Sequence, residues 1–334
     1  ATQFESLGGS FGTSVAADWF EVGTAVLAEH LGAAAALLRE GLWHPRFDPV
    51  EVGRERATLA NEAIQSADDM FRRPIDLALS AAFGPTGYGL PVKGTASSLG
   101  GLGVADVTAR HQAVVSSGRP AVVAVGDFDL EEAAASMAGL FGDLSSAAPS
   151  PRPAIAAWDR AEAVLAETRT KAQTALAMVY PGPSRSDPDR FAAEVLAAVA
   201  SGLGGRLFQS LRDERSLAYT VLMSSWQRLG AGAIVTYIAT RPAREDEARV
   251  AMLAELARFA EELVTPAELD LAINYLAGQA LVQRQTSGAV AGEIVDAWLI
   301  GGGLTELAAP GEPYRAVTRE AVREVAARYL APDL

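Results

Sequence analysis

Two apolar spacings alternate along this chain, and each occurs twice in the same order. Residues 11–26 alternate apolar and polar positions as strands do, and residues 28–40 carry Ala and Leu at helical spacing. After the turn at His44-Pro45, Asp48-Pro49-Val50-Glu51 predicts a new helix. Asp is a side-chain cap, Pro suits the first helical position, and Glu at the third favours the helix start. The second half repeats the order: a strand-like stretch over 219–239 around Leu229-Gly230, then an amphipathic helix over 246–263. Thr265-Pro266-Ala267-Glu268 then opens a helix with the same cap chemistry. The last helix of each half is predicted over 104–115 and 317–330. The offset is consistently about 215 residues, which points to duplicated domains.

The pattern therefore predicts an α+β fold of two homologous α/β-sandwich-type domains, with antiparallel or mixed sheets and helices packed on one face. The expected domains are residues 1–146 and 159–334, with a linker over 147–158 where Ser- and Pro-rich sequence breaks both periodicities. Ala121-Val122-Val123-Ala124-Val125 before it reads as a buried strand. The second half opens with a strand over 163–180 and an apolar helix over 190–201, whose first-half counterparts would fall before Ala1. The counterpart of 121–125 would fall after Leu334. The duplication thus leads to the expectation of a chain cut at both ends; halves that differ at their ends are the alternative.

Composition narrows the function classes. The chain has 334 residues, 49% hydrophobic, which is enough for two cores. Its net charge of −13 argues against a nucleic-acid partner, because phosphate binding needs a basic surface. No apolar run is long enough to insert into a membrane. With no Cys, disulfides, zinc ribbons and thiol catalysis drop out together, and the compartment stays open between cytoplasm and periplasm.

Two residue pairs could carry chemistry. Glu55 and Glu62 lie seven apart in a predicted helix, so both carboxylates return to nearly the same face two turns apart. Such a pair can supply a metal ligand and a supporting acid; it also fits an ordinary solvated helix face. Arg212 and Tyr219 are likewise seven apart. A guanidinium fork and a phenol can hold a peptide carbonyl and stabilise charge developing on it; a surface Arg and a Tyr entering a strand is the plainer reading. His30, His44 and His111 show no metal-ligand spacing, and the Gly clusters at 100–103 and 202–205 lack the residues of a phosphate loop.

The order of short signals resembles the pitrilysin/insulinase metallopeptidase family along essentially the whole chain. They are Leu7-Gly8-Gly9, Pro45 and Phe47, Arg54-Glu55-Arg56 with Glu62, and Gly87-Tyr88-Gly89-Leu90-Pro91-Val92-Lys93-Gly94-Thr95. Val125-Gly126-Asp127, Gly204-Gly205-Arg206-Leu207-Phe208-Gln209, Leu211-Arg212 and Leu217-Ala218-Tyr219 complete the series. The resemblance implies paired homologous domains that enclose a chamber with a related partner, in a homodimer or heterodimer. It makes Glu62 the third zinc ligand, Glu55 the auxiliary acid, and Arg212 and Tyr219 the grip on a peptide substrate. Zinc would activate water, and Tyr219 would steady the oxyanion. The family's His-x-x-Glu-His is not in this sequence; by the resemblance its place falls before Ala1. Gly12-Thr13 stands where the family often has Asn-Ala on its substrate strand.

Three functions fit. One is a zinc endopeptidase acting on peptides or unfolded polypeptides. Another is a non-catalytic subunit that lends Arg212 and Tyr219 to a zinc-bearing partner. A third is a structural core-type subunit, which has no chemical need for either pair.

Overall fold

The computed structural model describes residues 2–117, 120–142, 158, 164–202 and 204–330. In chain order the elements are α1 (Thr2–Ser6), β1 (Ser10–Val15), β2 (Phe20–Ala25), α2 (Leu31–Trp43), α3 (Pro49–Asp68) and α4 (Arg72–Phe83). Next come α5 (Ala96–Gly100), α6 (Val104–Ser117), α7 (Leu130–Phe141), β3 (Thr174–Gly182) and α8 (Arg190–Ser201). A π-turn (Phe208–Glu214) leads to β4 (Thr220–Gln227), β5 (Gly232–Thr240), α9 (Glu245–Glu261) and α10 (Pro266–Val282). The chain closes with α11 (Ser287–Leu299), α12 (Glu312–Arg315) and α13 (Arg319–Tyr329). Short 3-10 turns join several of these. Among the described residues no helix is long and apolar enough to cross a membrane.

The chain divides into two compact units. One comprises Ala1–Gln65, Val92–Ala154 and Thr286–Val295; the other comprises Ser66–Pro91, Ile155–Gln285 and Asp296–Leu334. The expected linker, 147–158, lies outside the described residues except for Trp158.

In the first unit, β1 and β2 form an antiparallel hairpin with Ser10 opposite Ala25 and Val15 opposite Phe20. The predicted cap opens α3: Asp48 Oδ1 accepts from the Val50 and Glu51 amides at 2.9 and 3.3 Å. His111 Nε2 lies 2.6 Å from the Leu42 carbonyl and its ring meets the edge of Phe47, so this histidine ties α6 to the end of α2. The buried apolar side chains here are few and mostly small: Phe4, Ala34, Ala35, Ala63, Leu99 and Ala133. The strand expected over 121–125 is not formed. Its burial alternates as a strand's would, but no neighbouring strand pairs with it among the described residues, and ladder hydrogen bonds are what make an extended run a strand.

The second unit carries the large core. Its sheet is antiparallel in the order β3-β5-β4, and β5 is buried along its whole length. A central strand buried on both faces needs cover on both, and it has it. Ile234 and Ile238 face the larger cluster, with Leu196 and Val199 of α8, Met252 and Phe259 of α9 and Val322 of α13. Ala233 and Val235 face the other way, against Ile75, Leu79 and Phe83 of α4. This corrects the expectation of helices on one face only. The spacing of Ile75, Leu79 and Phe83 builds one apolar stripe on α4, and Tyr237 fastens its start by donating to the Met70 carbonyl at 3.0 Å.

The second predicted cap is also present. Thr265 and Glu268 form a reciprocal capping box at the start of α10. Arg206 forks onto the same carboxylate, Nε to Oε1 at 2.6 Å and Nη2 to Oε2 at 2.9 Å. The Arg206 hydrogen bonds, aided by those from Thr265, lower the Glu268 carboxyl from 4.5 to about 2. A carboxyl depressed in the folded state contributes stability that is complete above 4.5 and disappears as pH falls through about 2. The thermal midpoint is therefore expected to fall across that acid window, and Glu268→Gln to flatten the fall. A Glu268→Gln midpoint that follows pH as steeply as wild type would contradict this.

Candidate functional site

Glu55 and Glu62 occupy one face of α3, about 10 Å apart along the axis by the helical rise. Glu55 is exposed. Glu62 is not free: its Oε2 lies 2.7 Å from Lys93 Nζ. Lys93 sits just before Gly94, whose φ of +74° lets the chain turn into the Thr95 capping box of α5. Among the described residues no three His, Cys, Asp or Glu side chains gather as a metal site. A catalytic zinc normally takes three protein ligands. The donor set of this chain alone, one half-exposed carboxylate already paired with a lysine, does not fit one.

Arg212 and Tyr219 are brought together, though not by the helical spacing the sequence suggests. Residues 208–214 form a π-turn, with one residue more per turn than spacing rules assume. The chain then reverses into β4. The Arg212 guanidinium lies 4.3 Å from the Phe208 ring centroid and 5.3 Å from that of Tyr219, over both rings. No described carboxylate forms a salt bridge with Arg212, and Tyr219 is 74% exposed. Stacking holds the guanidinium through its faces and leaves its N–H edge for an acceptor. The result is two donors, an N–H edge and a phenol, on one exposed rim.

The reversal is held from several sides. Leu217 N–H donates to the Leu211 carbonyl at 2.8 Å, and Thr240 Oγ1 donates to the Leu217 carbonyl at 2.6 Å. Arg244 Nη1 donates to the carbonyls of Arg215 and Ser216 at 3.3 and 3.0 Å while its other nitrogens grip Glu247. Ser216 itself has φ +50°, a left-handed conformation that costs a non-glycine residue on the order of 1 kcal/mol. Ser216→Gly is expected to raise stability by about 0.5–1 kcal/mol, partly offset by the added freedom of the unfolded chain. Denaturant unfolding that shows Ser216→Gly at or below wild type would contradict the strain. The sequence signals missed here are Phe208 and Lys93. Both stand inside the motifs quoted above, and only the three-dimensional turn shows their partners.

A family model described as the peptidase M16 inactive domain matches residues 102–276, just over half of the chain. The chain belongs to the M16 peptidase family, as the pitrilysin/insulinase resemblance implied. It is similar to an uncharacterized zinc protease of Mycobacterium leprae, 28% identical over 267 residues that cover 78% of this chain and 60% of the relative. A second uncharacterized zinc protease, from Streptomyces coelicolor, is 25% identical over 304 residues, or 88% of this chain and 66% of the relative. The chain thus spans about two thirds or less of the length of these curated relatives. Among solved structures, a peptidase M16 inactive domain from Pseudomonas fluorescens superposes with a TM-score of 0.82 at 20% identity, covering 99% of this chain and 81% of that one. At that identity the likeness is one of fold.

Proposed function

We propose that this chain is the peptide-gripping part of an M16 zinc metalloendopeptidase that acts on peptides or unfolded polypeptides in a chamber enclosed with a related copy or subunit. The observation that carries the reading is the Phe208–Arg212–Tyr219 stack, which presents two donors with no described partner on an exposed rim. An extended peptide carbonyl is the acceptor that such a pair suits. The zinc-protease names of the relatives support zinc chemistry in the family; in this reading Glu62 is one ligand and Glu55 its supporting acid. The other ligands would come from a His-x-x-Glu-His that this sequence does not contain. Duplicated domains over 1–146 and 159–334 belong to the same proposal.

The Lys93–Glu62 pair favours a second reading: a non-catalytic subunit in which a lysine, not a metal, neutralises Glu62. Two measurements on the 334-residue chain test the grip and the donor set, and a third on a longer protein separates the two readings. A fluorescein-labelled unstructured peptide should bind, and Arg212→Ala should weaken it about tenfold; equal binding by wild type and Arg212→Ala removes the grip. Zinc content should be far below one per chain; stoichiometric zinc would reveal a site that Glu62 and Glu55 alone do not explain. Glu62→Gln should abolish zinc in a protein that joins this chain to a His-x-x-Glu-His. Retained zinc there favours the subunit reading.

A further inference from the structure

A carboxylate lies buried in the core of the second unit, and the peptide grip has so far made no use of it. Glu255 is on α9 and only 2% exposed. Its neighbours on the buried side of that helix are Ala248, Ala251, Met252, Leu256 and Phe259. An apolar side chain would fill this place at less cost, because a buried carboxylate must recover its desolvation from its partners. Those partners are Arg258, one turn along the same helix with Nη1 3.1 Å from Oε2, and the buried hydroxyl of Ser210, which donates to Oε1 at 2.7 Å.

Ser210 stands in the middle of the π-turn, two residues before Arg212, and Leu211 between them is fully buried. A π-turn is less favourable than an α-turn and persists where something outside the turn holds it. Relaxation to α-helical spacing would increase the rotation per residue, so the side chains that follow would be turned progressively around the axis. Arg212 would then swing off the Phe208 ring and away from Tyr219. We propose that Glu255 is a positioning residue for the Arg212–Tyr219 pair, acting through the Ser210 hydroxyl to hold the π-turn open. This rests on the peptide-gripping reading above.

The test uses the 334-residue chain with Ser210→Ala, Glu255→Ala, their double variant, and Glu255→Gln, whose amide oxygen still accepts from Ser210. Hydrogen exchange is followed over residues 208–219, with β5 and α8 as controls, and binding of the same fluorescein-labelled peptide is measured. Both alanine variants should speed exchange over 208–219 about tenfold, leave β5 unchanged, and weaken the peptide about as much as Arg212→Ala. The double variant should be no worse than either single one, because both remove the same bond. Glu255→Gln should restore protection and binding. Unchanged exchange over 208–219, an equal rise in β5 and α8, or a Gln variant as damaged as the Ala variant would overturn the proposal. If Arg212→Ala itself binds peptide like wild type, the grip is what fails, and the exchange arm alone decides whether Glu255 holds the turn.

Discussion

Glu306→Ala is expected to destabilise the second unit by about 3–5 kcal/mol. The reason lies in the two arginines that converge on this carboxylate. Arg190 Nη2 donates to Oε1 at 2.6 Å and Arg185 Nη2 to Oε2 at 2.9 Å. Arg190 opens α8 and is only 6% exposed. Its remaining partners would be the Arg185 carbonyl and the Phe191 ring, 4.4 Å from the guanidinium, and neither carries a charge. Arg185 keeps Asp296, at 2.8 Å, so it loses less. The Gly302 amide, which also donates to Glu306 Oε1, loses its acceptor. The cost is therefore mainly an unpaired buried guanidinium, which makes a sharp companion prediction. Adding Arg190→Met to Glu306→Ala should recover most of the loss, because an apolar side chain of similar size suits the site better than an orphaned charge. Urea unfolding of the single and double variants checks both statements. A single variant within about 1 kcal/mol of wild type, or a double variant no better than the single, would show that the pair is solvated and weak.

The capped helices and the β4–β5 hairpin were legible because their signals are local. Thr265-Pro266-Ala267-Glu268 makes its own hydrogen bonds, and Leu229-Gly230 joins adjacent strands. The stripe Ile75, Leu79, Phe83 could be read as a buried face, but not which sheet buries it; α4 lies about 100 residues before β3 and about 150 before β5. The run in β5 carried a signal that helices flank both faces, since a near-continuous apolar strand has no solvent side. The 121–125 run shows the converse: strand-like composition without a described strand to pair with. At the proposed site the sequence could nominate residues but not their geometry. Arg212 and Tyr219 were picked out by spacing and motif, while their meeting depends on a π-turn braced by Glu255, forty-five residues away. Nothing local in Phe208–Glu214 distinguishes it from an α-helix. Lys93 was in view within its motif, but a lysine in a loop gives no sign that it will reach Glu62.

In a zinc-loaded peptidase containing this chain, Tyr219→Phe is expected to lower peptide-cleavage turnover about 10²–10³-fold with zinc content unchanged. The substitution removes one hydroxyl and keeps the ring, so the Arg212 stack at 5.3 Å stays in place. If that hydroxyl donates mainly to the charge developing on the scissile carbonyl, kcat falls and KM stays near wild type. Arg212→Ala should behave differently. It removes both the N–H edge and the cation over Phe208 and Tyr219, so it should raise KM as well as lower kcat. Arg212→Lys should rescue little, because a compact ammonium cannot keep the planar stack and the directed edge together. Steady-state kinetics on an unfolded peptide, with zinc measured on the same samples, separates these effects. Wild-type turnover in both Tyr219→Phe and Arg212→Ala would reduce the pair to a stacked surface ornament of the β4 turn. Loss of zinc in either would place the two residues on the metal side of the reaction and overturn their assignment to the substrate.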